Sequence, residues 1–169
     1  PSKKEEKIEE YVMSVGKRNN LEVLRDKAGN VIIRKPASSG RENLKPVILQ
    51  CHLDMVAEKN REVEHNFDKD PIQPYIDGEW VKAKGTTLGA DNGIGVATAL
   101  AVLEDKSLEH GPVECLFTLD EETGLTGATN LEPGVLKGKI LINLDSEEFG
   151  TFFIGCAGGK NTEAKLEIK

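Results

Sequence analysis

The stretch Ile94–Glu122, IGVATALAVLEDKSLEHGPVECLFTLDEE, decides the fold. Its first part is built of small and apolar residues, with Ala97, Leu100, Ala101 and Glu104 at helical spacing. Its second part, VECLFTL, is almost continuously apolar and breaks into three acids, Asp120, Glu121 and Glu122. A helix followed by an apolar run of strand length is the unit of an α/β layer. The run recurs as VILQCHLD, 47–54, and as KILINLD, 139–145. The expected fold is therefore α/β, a three-layer α/β/α arrangement with a mixed, largely parallel central sheet.

Other segments fit around this frame. Ser2 followed by Glu5 reads as a capping box opening a helix that runs to about Val15, with Gly16 as its stop. Ile8, Tyr11, Val12 and Val15 form its apolar stripe, and KKEEKIEE its solvated face. LEVLRDKAGNVIIRK reads as two strands around a turn at Ala28–Asn30, and YIDGEWVKAKG as a hairpin turning at Asp77-Gly78. ASSGRENLKP is a polar loop, and GTFFIGCAGG reads as one more strand ending in a hinge-like glycine cluster.

Composition narrows the function. The chain has 169 residues, a net charge of −7, 38% apolar and 30% charged residues, which describes a globular domain with a core of its own. The acidic balance disfavours nucleic acid and anionic membranes as partners. No apolar run approaches the ~20 residues of a membrane span, and PSKKEEKIEE has no signal-peptide character. Cys51, Cys115 and Cys156 lie far apart without a C-x-x-C pair, which suggests reduced thiols and a cytoplasmic location. Cys51 and Cys115 read as small buried hydrophobes.

The chemistry sits where the apolar runs end. His52 and Asp54 close the first run, Asp120, Glu121 and Glu122 the second, and Asp145 the third. Ligands of open α/β sheets sit beyond the carboxyl ends of the strands. Several carboxylates gathered there cannot all stay ionised without a cation. A histidine among them favours zinc, cobalt or manganese over magnesium or calcium. His52 and Asp54, two apart, share a strand face, so Asp54 is placed to orient the imidazole while Cys51 points away. Glu121 and Glu122 reach one site only from a strand end or turn; one would bind metal and the other serve as general base. Each residue also has a plainer role, Asp91 as a helix cap and DEE as a solvated turn. His65 and His110 read as surface residues. TLGADNGIG, 87–95, lacks both phosphate-loop patterns and carries Asp91 where an anion would be repelled.

HLDMV, GTTLGADNGIGVATALAVLE, FTLDEETGLTGA and NLDSEE with GCAGG, in this order, resemble the co-catalytic zinc metallopeptidases related to carboxypeptidase G and aminoacylase. Within them they are most similar to the aminoacyl-histidine (cytosol non-specific) dipeptidase branch. The resemblance implies that His52 and Asp145 bind one metal, Glu122 the second, and Asp91 both. It makes Glu121 the general base and Asp54 the residue that orients His52, with a cis Asp91–Asn92 peptide. It implies two Zn2+ ions (Co2+ or Mn2+ as substitutes), a dipeptide substrate with a free amino terminus such as Xaa-His, and a homodimer built through a lid domain. Amidohydrolase or deacylase activity and a non-catalytic metal-binding module are the alternatives. The family's second metal takes a further His from far downstream, and none follows Asp145 here. Residues 1–158 are thus expected to be the first part of a catalytic domain and 159–169 the start of the lid. The chain, which opens on Pro1 rather than Met, is read as a fragment, inactive alone.

Overall fold

The structure, a computed structural model, describes residues 1–146, 148–159 and 162–166. A five-stranded sheet forms the frame: β1 (Glu22–Arg25), β2 (Val31–Lys35), β3 (Val47–His52), β6 (Val113–Thr118) and β7 (Ile140–Asn143), in the order β1-β2-β6-β3-β7. β3 runs parallel to both β6 and β7, whereas β1 and β2 join antiparallel. The class is the expected one, an α/β fold with a mixed sheet. The register His52↔Thr118 brings the carboxyl ends of β3 and β6 level. β4 (Pro74–Asp77) and β5 (Trp80–Ala83) form the separate hairpin expected at Asp77-Gly78, with Gly78 at φ +60°.

β6 is buried along its whole length because it lies between β2 and β3 and is covered on both faces. Its alternate residues Val113, Cys115 and Phe117 join Val31, Ile33, Cys51 and Leu53 on one face. Two helices cover that face. α1 (Glu6–Arg18) contributes Val12 and Val15, and α2 (Ala90–Glu104) contributes Val96, Ala99, Leu100 and Leu103. The opposite face is narrower: Ile32, Ile48 and Leu116 pack against Leu131, Val135 and Leu136. That segment follows two single-turn helices, α3 (Glu121–Gly124) and α4 (Thr126–Thr129). Glu114, buried on this face, accepts hydrogen bonds from Arg34 Nε (2.8 Å) and from the Lys137 and Gly138 amides.

Several local expectations change. The helix stripe of α2 is Val96, Ala99, Leu100 and Leu103; Ala97, Ala101 and Glu104 face outward. Small residues all round a helix leave its inner face undefined until the sheet selects it. α1 does not stop at Gly16. It ends in a Schellman motif, with Asn20 left-handed at φ 55°, Leu21 N donating to Gly16 O and Asn20 N to Lys17 O. Ser2 and Glu5 do not cap it, for its N-terminus has no side-chain hydrogen bond. Nor is KKEEKIEE wholly solvated: Glu5 and Glu9 are buried, and Glu9 pairs with Arg25 at 2.7 Å.

β7 forms where expected but is exposed along its length: it is an edge strand, and none of its residues joins either core among the described residues. GTFFIGCAGG contains no strand over 151–159. The expected second piece, 159–169, falls partly on 160, 161 and 167–169, outside the described residues.

Gly16 is a packing glycine. A Cβ there would lie 2.5 Å from Val23 Cγ2 and 3.1 Å from Ile33 Cδ1. Helix propensity favours alanine over glycine by about 1 kcal/mol, but forcing a methyl group against two β-branched core residues costs about 1–3 kcal/mol. Gly16→Ala is therefore expected to destabilise the protein by about 1 kcal/mol in urea unfolding; a stabilised variant would mean that the α1–sheet contact is loose.

Candidate metal centre

His52 is the last residue of β3 and is 1% exposed. Its ring is held from behind. Nδ1 lies 3.0 Å from the Asp54 carbonyl oxygen and 3.2 Å from Asp54 Oδ1. With the Nδ1 proton donated there, Nε2 faces outward, 3.0 Å from Asp91 Oδ1 and 3.7 Å from Asp145 Oδ2. A lone pair facing carboxylates is repulsive, so Nε2 requires a proton or a cation.

Asp91 arrives from the start of α2, where the chain is not helical. Gly89 is left-handed at φ +79°, and a Cβ there would approach Met55 Sδ to 2.9 Å. The Asp91–Asn92 peptide is cis, as the resemblance implies. Asn92 is buried and donates from Nδ2 to Leu144 O (3.2 Å), tying α2 to the residue before Asp145. Gly95 permits this contact, since a Cβ would lie 2.9 Å from Leu144 O. At Gly93, by contrast, an added Cβ meets nothing.

Glu121 and Glu122 solve the facing problem of consecutive acids. β6 ends at Thr118, Asp120 turns left-handed at φ 50°, and both glutamates open the single turn of α3. Asp54 receives their amides, Glu121 N on Oδ1 (2.9 Å) and Glu122 N on Oδ2 (3.1 Å). Asp120 itself turns away and accepts the hydroxyls of Thr123 and Thr126.

Two ligand groups share the one imidazole: His52 with Asp91 and Asp145, and His52 with Glu121 and Glu122, ligand atoms within 4.8 Å in each. The donor chemistry fits a divalent transition metal, one imidazole nitrogen with carboxylate oxygens. The 3.0 Å between His52 Nε2 and Asp91 Oδ1 fits two ligands of one ion, roughly 3 Å apart when each bond is about 2.0–2.1 Å. Sequence reasoning missed the supports: Asn92, and Ser2, whose Oγ donates to Asp54 Oδ2 at 2.7 Å. It also missed buried Asn30, whose Nδ2 donates to Asp26 and to Gly127 O. The S-x-x-E spacing was the available signal for Ser2. His65 and His110 stand apart, the first edge-on to Phe67 and the second with Nδ1 2.7 Å from the Gly111 carbonyl oxygen.

Two cavities flank the cluster. One of about 690 Å³ runs between α1 and α2 and touches His52 and Asp54 at one end. The other, about 240 Å³, is lined by Gln50, Thr118, Glu121, Asn143 and Asp145 on the opposite side of the sheet.

The fold is that of an α/β peptidase domain. The chain belongs to Peptidase family M20/M25/M40, which it matches over residues 48–167. It is 56% identical to the cytosol non-specific dipeptidase of Escherichia coli K12 over 99% of its length, and spans 35% of that protein. Among solved structures it is similar to aminoacylhistidine dipeptidase from Vibrio alginolyticus, with a TM-score of 0.86 and 59% identity over 89% of this chain and 31% of that one. It is also similar to aminopeptidase PepT from Bacillus cereus, with a TM-score of 0.72 and 27% identity over 87% and 39% of the two chains. The chain thus spans about a third of the length of its dipeptidase relatives.

The electrostatics follow from burial among acids. Desolvation alone lowers the His52 pKa, but hydrogen bonds to Asp54 and Asp91 and the charge of Asp145 outweigh it and raise the value to about 9. Burial pushes Asp54 the other way, upward, yet His52, Ser2 and the two amides hold it well below the carboxylate range. Glu121 and Glu122 are both raised, first by burial and then by the neighbouring acids, with His52 opposing. A raised His52 stabilises the metal-free fold fully below its unfolded value of about 6.5. That contribution is lost as pH rises through about 9. Metal-free protein should therefore lose melting temperature across this window, and His52→Gln should flatten the loss. Parallel pH profiles for the two proteins would refute the charged imidazole.

Proposed function

We propose that the protein of which this chain forms part hydrolyses dipeptides with a free amino terminus, Xaa-His among them, at a two-metal centre. His52, Asp91, Glu122 and Asp145 hold the ions, with Zn2+ as the native metal and Co2+ or Mn2+ as substitutes. The observation that supports this best is the convergence on His52 Nε2 of Asp91 and Asp145, with Glu121 and Glu122 in the second group around the same ring. When bound, the ions supply charge stabilisation at the scissile carbonyl and acidify the attacking water.

The side chains divide the remaining work. Asp54 fixes the His52 ring through Nδ1 and keeps Nε2 turned to the ligand site. Asp91 meets His52 Nε2 and shares one ligand group with Asp145; in this reading it serves both ions. Glu121 takes the proton of the attacking water and delivers it to the departing amine. Its raised pKa suits that traffic, because a base closer to neutrality also serves as the returning acid. The cavity lined by Glu121 and Asp145 receives the substrate. Cytoplasmic residence belongs to the same reading. Two of three free cysteines are buried, and no helix among the described residues is long and apolar enough to cross a membrane. Homodimerisation through the segment beyond Gly158 completes it.

In the full-length protein, Glu121→Gln should lower kcat by about 10²–10⁴-fold with metal content unchanged. Retained turnover would remove Glu121 as the base. A deacylase would instead prefer N-acetyl amino acids over Xaa-His, and a binding module would turn over neither. The 169-residue chain alone brings one histidine to the site. It is expected to show no measurable dipeptide hydrolysis, by an assay that detects the full-length enzyme.

A further inference from the structure

The spacing Ser2-x-x-Glu5 has the form of a capping box, yet it caps nothing. Both side chains turn inward to the ends of two strands. Ser2 Oγ donates to Asp54 Oδ2 at 2.7 Å, and Ser2 N reaches Met55 O at 3.4 Å. Glu5 Oε1 accepts from Asp120 N at 3.1 Å and from Lys3 N at 2.9 Å. Glu5, Asp54 and Asp120 are all buried, with oxygen atoms within 4.8 Å of one another. Three carboxylates so close repel unless donors saturate them. Here they are saturated: Asp54 by Ser2, His52 and two amides, Asp120 by two threonine hydroxyls, and Glu5 by two amides. The trio is occupied by its own donors and is not a further cation site.

We propose that Ser2 and Glu5 are positioning residues, a clamp that sets Glu121 and Glu122 against His52. The proposal rests on the metal-centre reading above. Ser2 fixes the carboxylate of Asp54, which carries the amides of both glutamates and faces His52 Nδ1. Glu5 holds the amide of Asp120, the left-handed residue at which the chain leaves β6 for α3. One short segment thereby grips the ends of β3 and β6, and the distance between His52 and the two glutamates depends on both grips. Among the described residues the remaining donors to Asp54 are His52 and the amides that it positions, so no other side chain there substitutes for Ser2.

The test uses the full-length protein stripped of metal, as wild type, Ser2→Ala, Ser2→Thr and Glu5→Ala. Zn2+ binding is measured by calorimetry, and amide hydrogen exchange is followed without metal. Ser2→Ala and Glu5→Ala should weaken Zn2+ binding by about tenfold, and Ser2→Thr, which keeps the hydroxyl, should restore it. Exchange at the Glu121 and Glu122 amides should quicken by about tenfold in Ser2→Ala, while the amides of α1 keep their protection. Unchanged Zn2+ affinity together with unchanged exchange at Glu121 and Glu122 would overturn the clamp. So would an equal loss of protection in α1 and α3, which marks general destabilisation. If wild type binds no Zn2+, the metal-centre reading fails and the exchange data still decide the clamp. If Glu5→Ala does not fold, the Ser2→Ala and Ser2→Thr pair decides it.

Discussion

The Asp54 carboxylate is shut away from water, and the arrangement of the site depends on how it is kept charged. A buried anion is costly unless donors replace its hydration. The donors here come from three parts of the chain: the Ser2 hydroxyl, the His52 ring and the Glu121 and Glu122 amides. The solvation requirement of one carboxylate thus becomes a positional requirement on three segments. Their hydrogen bonds hold Asp54 ionised, and the ionised Asp54 in turn keeps the imidazole turned towards Asp91 and Asp145.

The sheet supplies the coarse placement that these bonds refine. β3 lies between two parallel neighbours, so its carboxyl end and that of β6 open on the same side, and Leu144 continues past β7 to meet Gln50 O at 2.8 Å. α2 enters from the covered face, and the close approach at Gly95 brings Asp91 over the strand ends. The site is the place where the parallel part of the sheet exposes its strand ends, with acids at each end.

The sequence made this arrangement legible where the rule was local and one-sided. Apolar runs ending in His52, Glu121 and Asp145 marked strands and the side on which they open, and the structure gathers Glu121 on the one hand and Asp91 with Asp145 on the other around His52. It was less legible where one pattern serves two purposes. Ser2 and Glu5 have the spacing of a cap, and only the buried acids beside them turn the pair inward. Gly16 looks like a helix stop until the β-branched residues beneath it are in place. The apolar run of β7 correctly marked a strand, but apolarity records what a strand is able to bury and not its place at an edge. GTFFIGCAGG, aromatic and β-prone, has no neighbouring strand to pair with over 151–159 among the described residues. Strand propensity is expressed only against a partner.

The parallel pairing of β3 with β6 and β7 carries a consequence for the order of assembly. Parallel neighbours meet only after a long intervening loop has closed, so such sheets depend on distant contacts and form slowly. His52, Asp91, Glu122 and Asp145 are dispersed across the same loops, and no two adjacent ligands sit on one helix or one hairpin. An unfolded chain therefore presents a cation with scattered weak donors rather than a partial chelate. Cation capture is consequently coupled to completion of the sheet, and the ion stabilises the finished topology without guiding the early search.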